Sequence, residues 1–319
     1  MSDNPTLLPA RLRAWVVSRP LEVAMVLALA AIVIGFYGFF PLVGGGGSAL
    51  GMLESSWNKE NDYSHGYLIG PMILALLVWR FWKDVPGPRD PATAKFGLGV
   101  FLLGIVLWIL AYRVLQWRIA IGSLCMVVWG AMWYTLGWRA AKPSLWPVML
   151  LLLAVPLPGL IQATNELQVI STKLGYYGSK VFGVDCLQSG TNIQSTVAGK
   201  WGFDIAGGCS GVRSLMAMIL IASVYIYVID LPLWRKALVF CAALPLAIFV
   251  NAIRIVTILV LAEYVSKDFA SGIYHDYASF FIFPLGLLGM VGVHQLLILD
   301  RRIKKQVVRR MITPTESTN

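Results

Sequence analysis

Charge is what this chain has least of. Asp, Glu, Lys and Arg make up 13% of its 319 residues, against about 25% in soluble globular domains. Acidic residues are scarcest in the apolar runs, where only Glu22 and Glu263 fall, each near an end. Paired-aspartate chemistry inside a membrane is therefore excluded. There are 3 histidines and 4 cysteines. They form no His-Glu-x-x-His and no paired Cys-x-x-Cys, so neither a metal site nor a metal cofactor is expected. No Gly-x-Ser-x-Gly is present, which removes the usual serine hydrolase elbow. Internal repeats, low-complexity stretches and a detachable soluble domain are also missing.

What is present is apolar sequence. Hydrophobic residues reach 58%, and runs near the roughly 20 residues needed to cross a bilayer recur. The pattern predicts an all-α polytopic membrane protein in contact with the lipid bilayer. The net charge of +10 then reflects cytoplasmic loops rather than nucleic acid. About eight transmembrane helices are expected, over 21–43, 67–82, 96–112, 119–137, 145–163, 212–229, 237–265 and 279–299. The first run is longer than the apolar core of about 7–15 residues in a secretory signal, so it reads as an uncleaved span. The division is a cytoplasmic segment 1–20, one membrane domain 21–299 and a basic cytoplasmic tail 300–319.

With the N-terminus inside, 17 of the 26 Lys and Arg fall on inner segments. Arg11, Arg13, Arg19, Arg80, Lys83 and the tail cluster from Arg301 to Arg310 are among them. That bias places both termini in the cytoplasm. The outer segments are then 44–66, 164–211 and 266–278. In the second, Leu167, Ile170, Leu174, Tyr177 and Val181 recur at helical spacing. This predicts an amphipathic helix on the outer surface. Residues 191–206 alternate loosely around Gly199, which predicts a small hairpin.

Cys209, Arg254 and His275 then reach the same outer depth. Cys209 directly precedes a span, in Gly207-Gly208-Cys209-Ser210-Gly211. A helix N-terminus favours the thiolate. Arg213 follows one turn later and adds positive potential. The competing readings are a buried, inert cysteine and a disulfide with Cys186. Arg254 lies 17 residues after Ala237, a rise of about 26 Å. It either holds an oxyanion or carboxylate, with Asn251 one turn earlier on the same face, or snorkels to the headgroups. His275 is a candidate general base. His65 is its rival, and His294, deep in the last span, reads as a packing or polar contact.

At these residues the chain resembles the exosortase/archaeosortase family. The matching elements are Cys-Ser-Gly-Val-Arg-Ser at 209–214, Asn-x-x-Arg at 251–254 and the histidine at 275. Asp62-Tyr63-Ser64-His65-Gly66 and Pro156-Leu157-Pro158 match further upstream. The resemblance implies a cysteine protease and transpeptidase of the bacterial branch, without the extra C-terminal polysaccharide-export domain. It implies Cys209, Arg254 and His275 as catalytic residues, with Arg213, Asn251, Ser210 and His65 supporting, and no cofactor. The implied partners are membrane-anchored precursors with a C-terminal sorting tail: a Pro-Glu-Pro-like motif, a hydrophobic helix and a basic cluster. An exopolysaccharide or lipid-linked acceptor is a further implied partner. The implied location is the cytoplasmic membrane, with the site facing the periplasm or exterior. The rival class is a non-catalytic transporter or assembly factor for envelope polysaccharide.

Overall fold

The structure, a computed structural model, describes residues 17–42, 47–58, 63–83, 91–156, 158–205 and 211–312. Side chains are described throughout these except at 91, 158–165, 211–214, 275–276, 279–282 and 300–312. Cys209 and Ser210 thus lie outside the described residues. The chain divides into two compact units, Met1–Leu157 and Pro158–Asn319.

The first unit begins with α1 (Pro20–Val33), which runs on into a π-helical turn, Ile34–Phe39. Pro20 suits a first helical turn, where its missing N–H costs nothing. A short helix α2 (Ala49–Ser55) is capped by Ser48, whose hydroxyl accepts from Gly51 N–H at 3.1 Å. The longer helices are α3 (Gly66–Lys83), α4 (Pro91–Arg113) and α5 (Trp117–Leu136). Glycines let α4 and α5 pack backbone to backbone. A Cβ on Gly97 would sit 2.6 Å from Tyr134 N, and one on Gly130 would sit 2.5 Å from Phe101 N. Small residues at such a seam are how membrane helices gain contact when lipid removes the hydrophobic drive. The π-helical turn after α1 joins α5 through a Tyr37–Ser123 hydroxyl pair at 2.8 Å.

The expected span 145–163 is not one helix. α6 (Trp138–Met149) ends there and tightens into a 3₁₀ turn, Leu150–Ala154. Val155 is extended, with φ −91° and ψ 119°. The cause is Pro156, whose ring disfavours the helical region for the residue before it. Helix resumes only with α7 (Pro158–Val181), so the expected amphipathic helix starts earlier than the periodicity suggested.

The second unit contains α7, a small sheet, α8 (Gly211–Val228), α9 (Leu233–Tyr264) and α10 (His275–Ile312). Between α9 and α10 lie a helical turn, Lys267–Phe269, and a π-helical turn, Ala270–Tyr274. The sheet is antiparallel, in the order β1 (Cys186–Ser189), β2 (Asn192–Ser195), β3 (Gly202–Asp204). The expected hairpin is β2–β3; β1 extends it by a third strand. Ser189 pairs with Asn192 across the two-residue turn Gly190-Thr191. Gly190 has φ +62°, the left-handed conformation such a turn demands. Ile193, Trp201 and Ile205 bury the sheet on Ile255, Ile258 and Leu259 of α9.

Among the described residues, four helical segments are long and apolar enough to cross a membrane: Pro20–Phe39, Ala92–Arg113, Trp117–Leu136 and Leu233–Tyr264. Leu215–Val228 and Phe283–Leu299 are shorter apolar helices. The count of about eight is therefore not reached by this measure. α10 also continues helically through Ile312, well into what the sequence marks as a polar tail.

Candidate active site

Arg254 lies in the C-terminal third of α9, on the face that carries Val250, Asn251, Ile255 and Ile258. All of these are buried, and Arg254 itself is only 9% exposed. A snorkelling arginine puts its head in the polar interface. Arg254 instead turns into the unit. α7 approaches this stretch of α9 closely. A Cβ on Gly175 would fall 2.5 Å from Ile255 Cγ2, and one on Gly178 would fall 2.6 Å from Val256 Cγ2. The glycines thus bring the two helix axes together beside Arg254.

The same turn of α9 is tied to the approach of α10. Tyr274 donates its hydroxyl proton to Thr257 Oγ1 at 2.7 Å, and Thr257 donates to the Arg254 carbonyl at 2.8 Å. Tyr274 ends the π-helical turn, and His275 is the first residue of α10. The backbone of His275 therefore begins one residue from a group anchored on the Arg254 turn. π-Helical turns recur at functional sites, since one extra residue re-aims the side chains beyond them.

Cys209 stands two residues before Gly211, the first residue of α8. Arg213 is in the first turn of α8, although its side chain is outside the description. Cys186 is a buried free thiol in β1, with its sulfur 3.6 Å from Ser179 Oγ. It packs in the apolar core under the sheet rather than facing a polar site.

The face of α7 turned toward α9 was not anticipated. Gln168, Ser171, Thr172 and Ser179 are buried. Tyr177 and Val181, from the apolar stripe, are 66% and 83% exposed. Sequence periodicity separates two faces, but in a membrane protein the polar one can turn inward. Gln168, Ser171 and Asn251 together line a cleft between α7, α8 and α9. Gln168 and Ser171 were missed, and the signal for them was present: small and amide residues recurring at helical spacing opposite the apolar stripe.

His65 belongs to the first unit, buried beside Tyr63 with ring centroids 5.1 Å apart. In that unit Trp57 covers Gly66 and donates to the Ala154 carbonyl at 3.0 Å, while Arg118 donates to the Pro156 carbonyl at 2.9 Å. His294 is paired through Nδ1 with the Tyr225 hydroxyl at 2.7 Å, the polar contact its position suggested. Glu263 accepts from Trp201 Nε1 at 2.7 Å and also pairs with Lys200, holding the sheet to the end of α9.

Arg254 is thus buried on a membrane-length helix, α9, while Cys209 stands in sequence just ahead of α8, the helix before it, and His275 opens α10, the helix after it. Residues 57–292 match the family model of transmembrane exosortases. That match takes in most of the chain, and the chain belongs to the transmembrane exosortase family. No curated protein and no solved structure matches it.

Proposed function

We propose that this exosortase is a cysteine peptidase and transpeptidase acting on C-terminal sorting tails of secreted precursors, at the outer face of the cytoplasmic membrane. Both termini are cytoplasmic in this reading. The observation that carries it is Arg254: a permanently charged side chain buried in a membrane-length helix. Such a residue is costly and marks a functional site by default.

In this mechanism the substrate's hydrophobic helix lies in the bilayer and presents its motif to Cys209. The Cys209 thiolate adds to the scissile carbonyl, and the oxygen takes up negative charge. Arg254 stabilises that oxyanion or holds the motif's carboxylate through its forked donors. The C–N bond breaks and His275 gives the leaving amine its proton, leaving a thioester on Cys209. An acceptor amine, on a polysaccharide or lipid-linked carrier, or a water molecule then attacks the thioester. It passes its proton to His275 and releases the Cys209 thiolate. Asn251, Arg213 and Ser210 support the site.

The test is processing of a secreted reporter that ends in a Pro-Glu-Pro motif, a hydrophobic helix and a basic cluster. Cys209→Ala, Arg254→Ala, Arg254→Lys and His275→Ala should insert at normal abundance and leave the reporter uncut. Cys186→Ala and His294→Ala should retain most processing. Normal processing by Cys209→Ala would sink the peptidase reading.

A further inference from the structure

The cleft between α7, α8 and α9 is lined by apolar residues and by three polar side chains, Gln168, Ser171 and Asn251. Asn251 is 2% exposed, yet among the described residues neither its Oδ1 nor its Nδ2 has a hydrogen-bond partner. Both atoms belong to a side chain that lines the cleft. Gln168 and Ser171, also buried, face the same space from α7. An unmet carboxamide in a desolvated site is costly, and native structures keep such groups where a guest supplies the partner.

The chemistry of the lining selects the guest. Two carboxamides and one hydroxyl offer donors and acceptors together, and among the described residues no charged side chain lines the cleft. A carboxylate or phosphate would find no cation among these described lining residues. A neutral group with its own donor and acceptor fits, and a peptide unit is one. Size points the same way. The cleft has room for about one water-sized group, far below the roughly 300 Å³ at which small-molecule sites begin. That space fits a carbonyl oxygen and is too small for a large side chain or a sugar ring.

Its position relates it to the candidate site. Asn251 is one turn before Arg254 on α9. Leu215, also in the wall, is one turn into α8, whose first residue follows Cys209 by two. We infer that this cleft is a main-chain subsite: Asn251 and Gln168 hold one peptide unit of the substrate, close to the scissile bond, by amide-to-amide hydrogen bonds. This inference rests on the peptidase reading above and names how that site grips its substrate. It also explains why α7 buries its polar face, since the substrate backbone needs partners wherever lipid excludes water.

The test uses the full-length chain in membranes with the same reporter. Gln168→Leu and Asn251→Leu, which keep side-chain volume, should each slow processing tenfold or more at normal abundance. In a Cys209→Ala background, Ser171→Cys or Leu167→Cys should form a disulfide with single cysteines placed within about three residues of the cut. Cysteines placed further along the tail should not react. A purely structural role for these polar residues would not produce such position-specific cross-links. If the wild-type chain cuts the reporter while the Gln168→Leu/Asn251→Leu double variant keeps the wild-type rate, the cleft holds a resident water only and the inference is overturned. Absence of every cross-link, with wild-type cutting intact, overturns it equally. Cross-links without any wild-type cutting would keep the subsite and sink the peptidase reading instead.

Discussion

The hydroxyl of Tyr274 reaches Thr257 at 2.7 Å, and Thr257 passes the contact to the Arg254 carbonyl at 2.8 Å. Two groups far apart in sequence are thereby held at one turn of α9. The residue that follows Tyr274 is His275, so this link fixes where α10 begins relative to Arg254. Tyr274→Phe removes one hydrogen bond, worth about 0.5–1.5 kcal/mol. Processing should fall by up to about tenfold with abundance unchanged. Thr257→Ser keeps the relay and should stay near wild type, whereas Thr257→Val should match Tyr274→Phe. Reporter processing rates compare the three.

The α7–α9 contact has no spare room at Gly175. A Cβ there would meet Ile255 Cγ2 at 2.5 Å. Gly175→Ala should therefore overpack the seam, at a cost of about 1–3 kcal/mol. Lower thermal stability of the detergent-solubilised protein is the expected result. Adding Ile255→Ala should recover part of that loss in Gly175→Ala, because the clash is with that one side chain.

The sheet is held to α9 by Glu263, and its two partners should differ in weight. Lys200 is well exposed, so its ion pair contributes about 0–1 kcal/mol. Trp201 is buried, and its Nε1–H has Glu263 as acceptor. Glu263→Ala leaves that donor unmet, at about 1–3 kcal/mol. Lys200→Met should be nearly neutral in a thermal melt and Glu263→Ala clearly destabilising. The opposite order would mean that the ion pair carries the contact.

The orientation proposed from Lys and Arg placement has its own check. Ser55 and Gln194 are exposed and belong to segments assigned outside, whereas Gln306 follows the last span. Ser55→Cys and Gln194→Cys should react with an impermeant thiol reagent in intact cells, each in a background without Cys209 and Cys241, and Gln306→Cys should not. Labelling of Gln306→Cys from outside would reverse the orientation.

How much of this was legible in the sequence differs from element to element. Arg254, Asn251 and the helical character of the chain could be read directly, because a charge in an apolar run and a bilayer-length run are local signals. The break at Val155 also had a local cause in Pro156, but the apolar run through Leu150–Ala154 masked it. β1 was missed because Cys186–Ser189 has no clean alternation and is defined by pairing with β2. Gln168 and Ser171 were missed for a different reason. Periodicity separates the faces of α7, but only the close approach at Gly175 and Gly178 shows which face meets protein. Cys209 and Ser210 lie outside the described residues, so their assignment rests on sequence and family.

The central claim is a covalent acyl-enzyme on Cys209. The direct measurement is mass spectrometry of the protein purified with its reporter substrate under acid quench, followed by digestion. The account predicts a peptide containing Cys209 with its mass increased by the acyl fragment of the reporter, released by neutral hydroxylamine and absent from Cys209→Ala. A chain that cuts the reporter with Cys209 unmodified in every quench, or that carries the adduct on another residue, would contradict it.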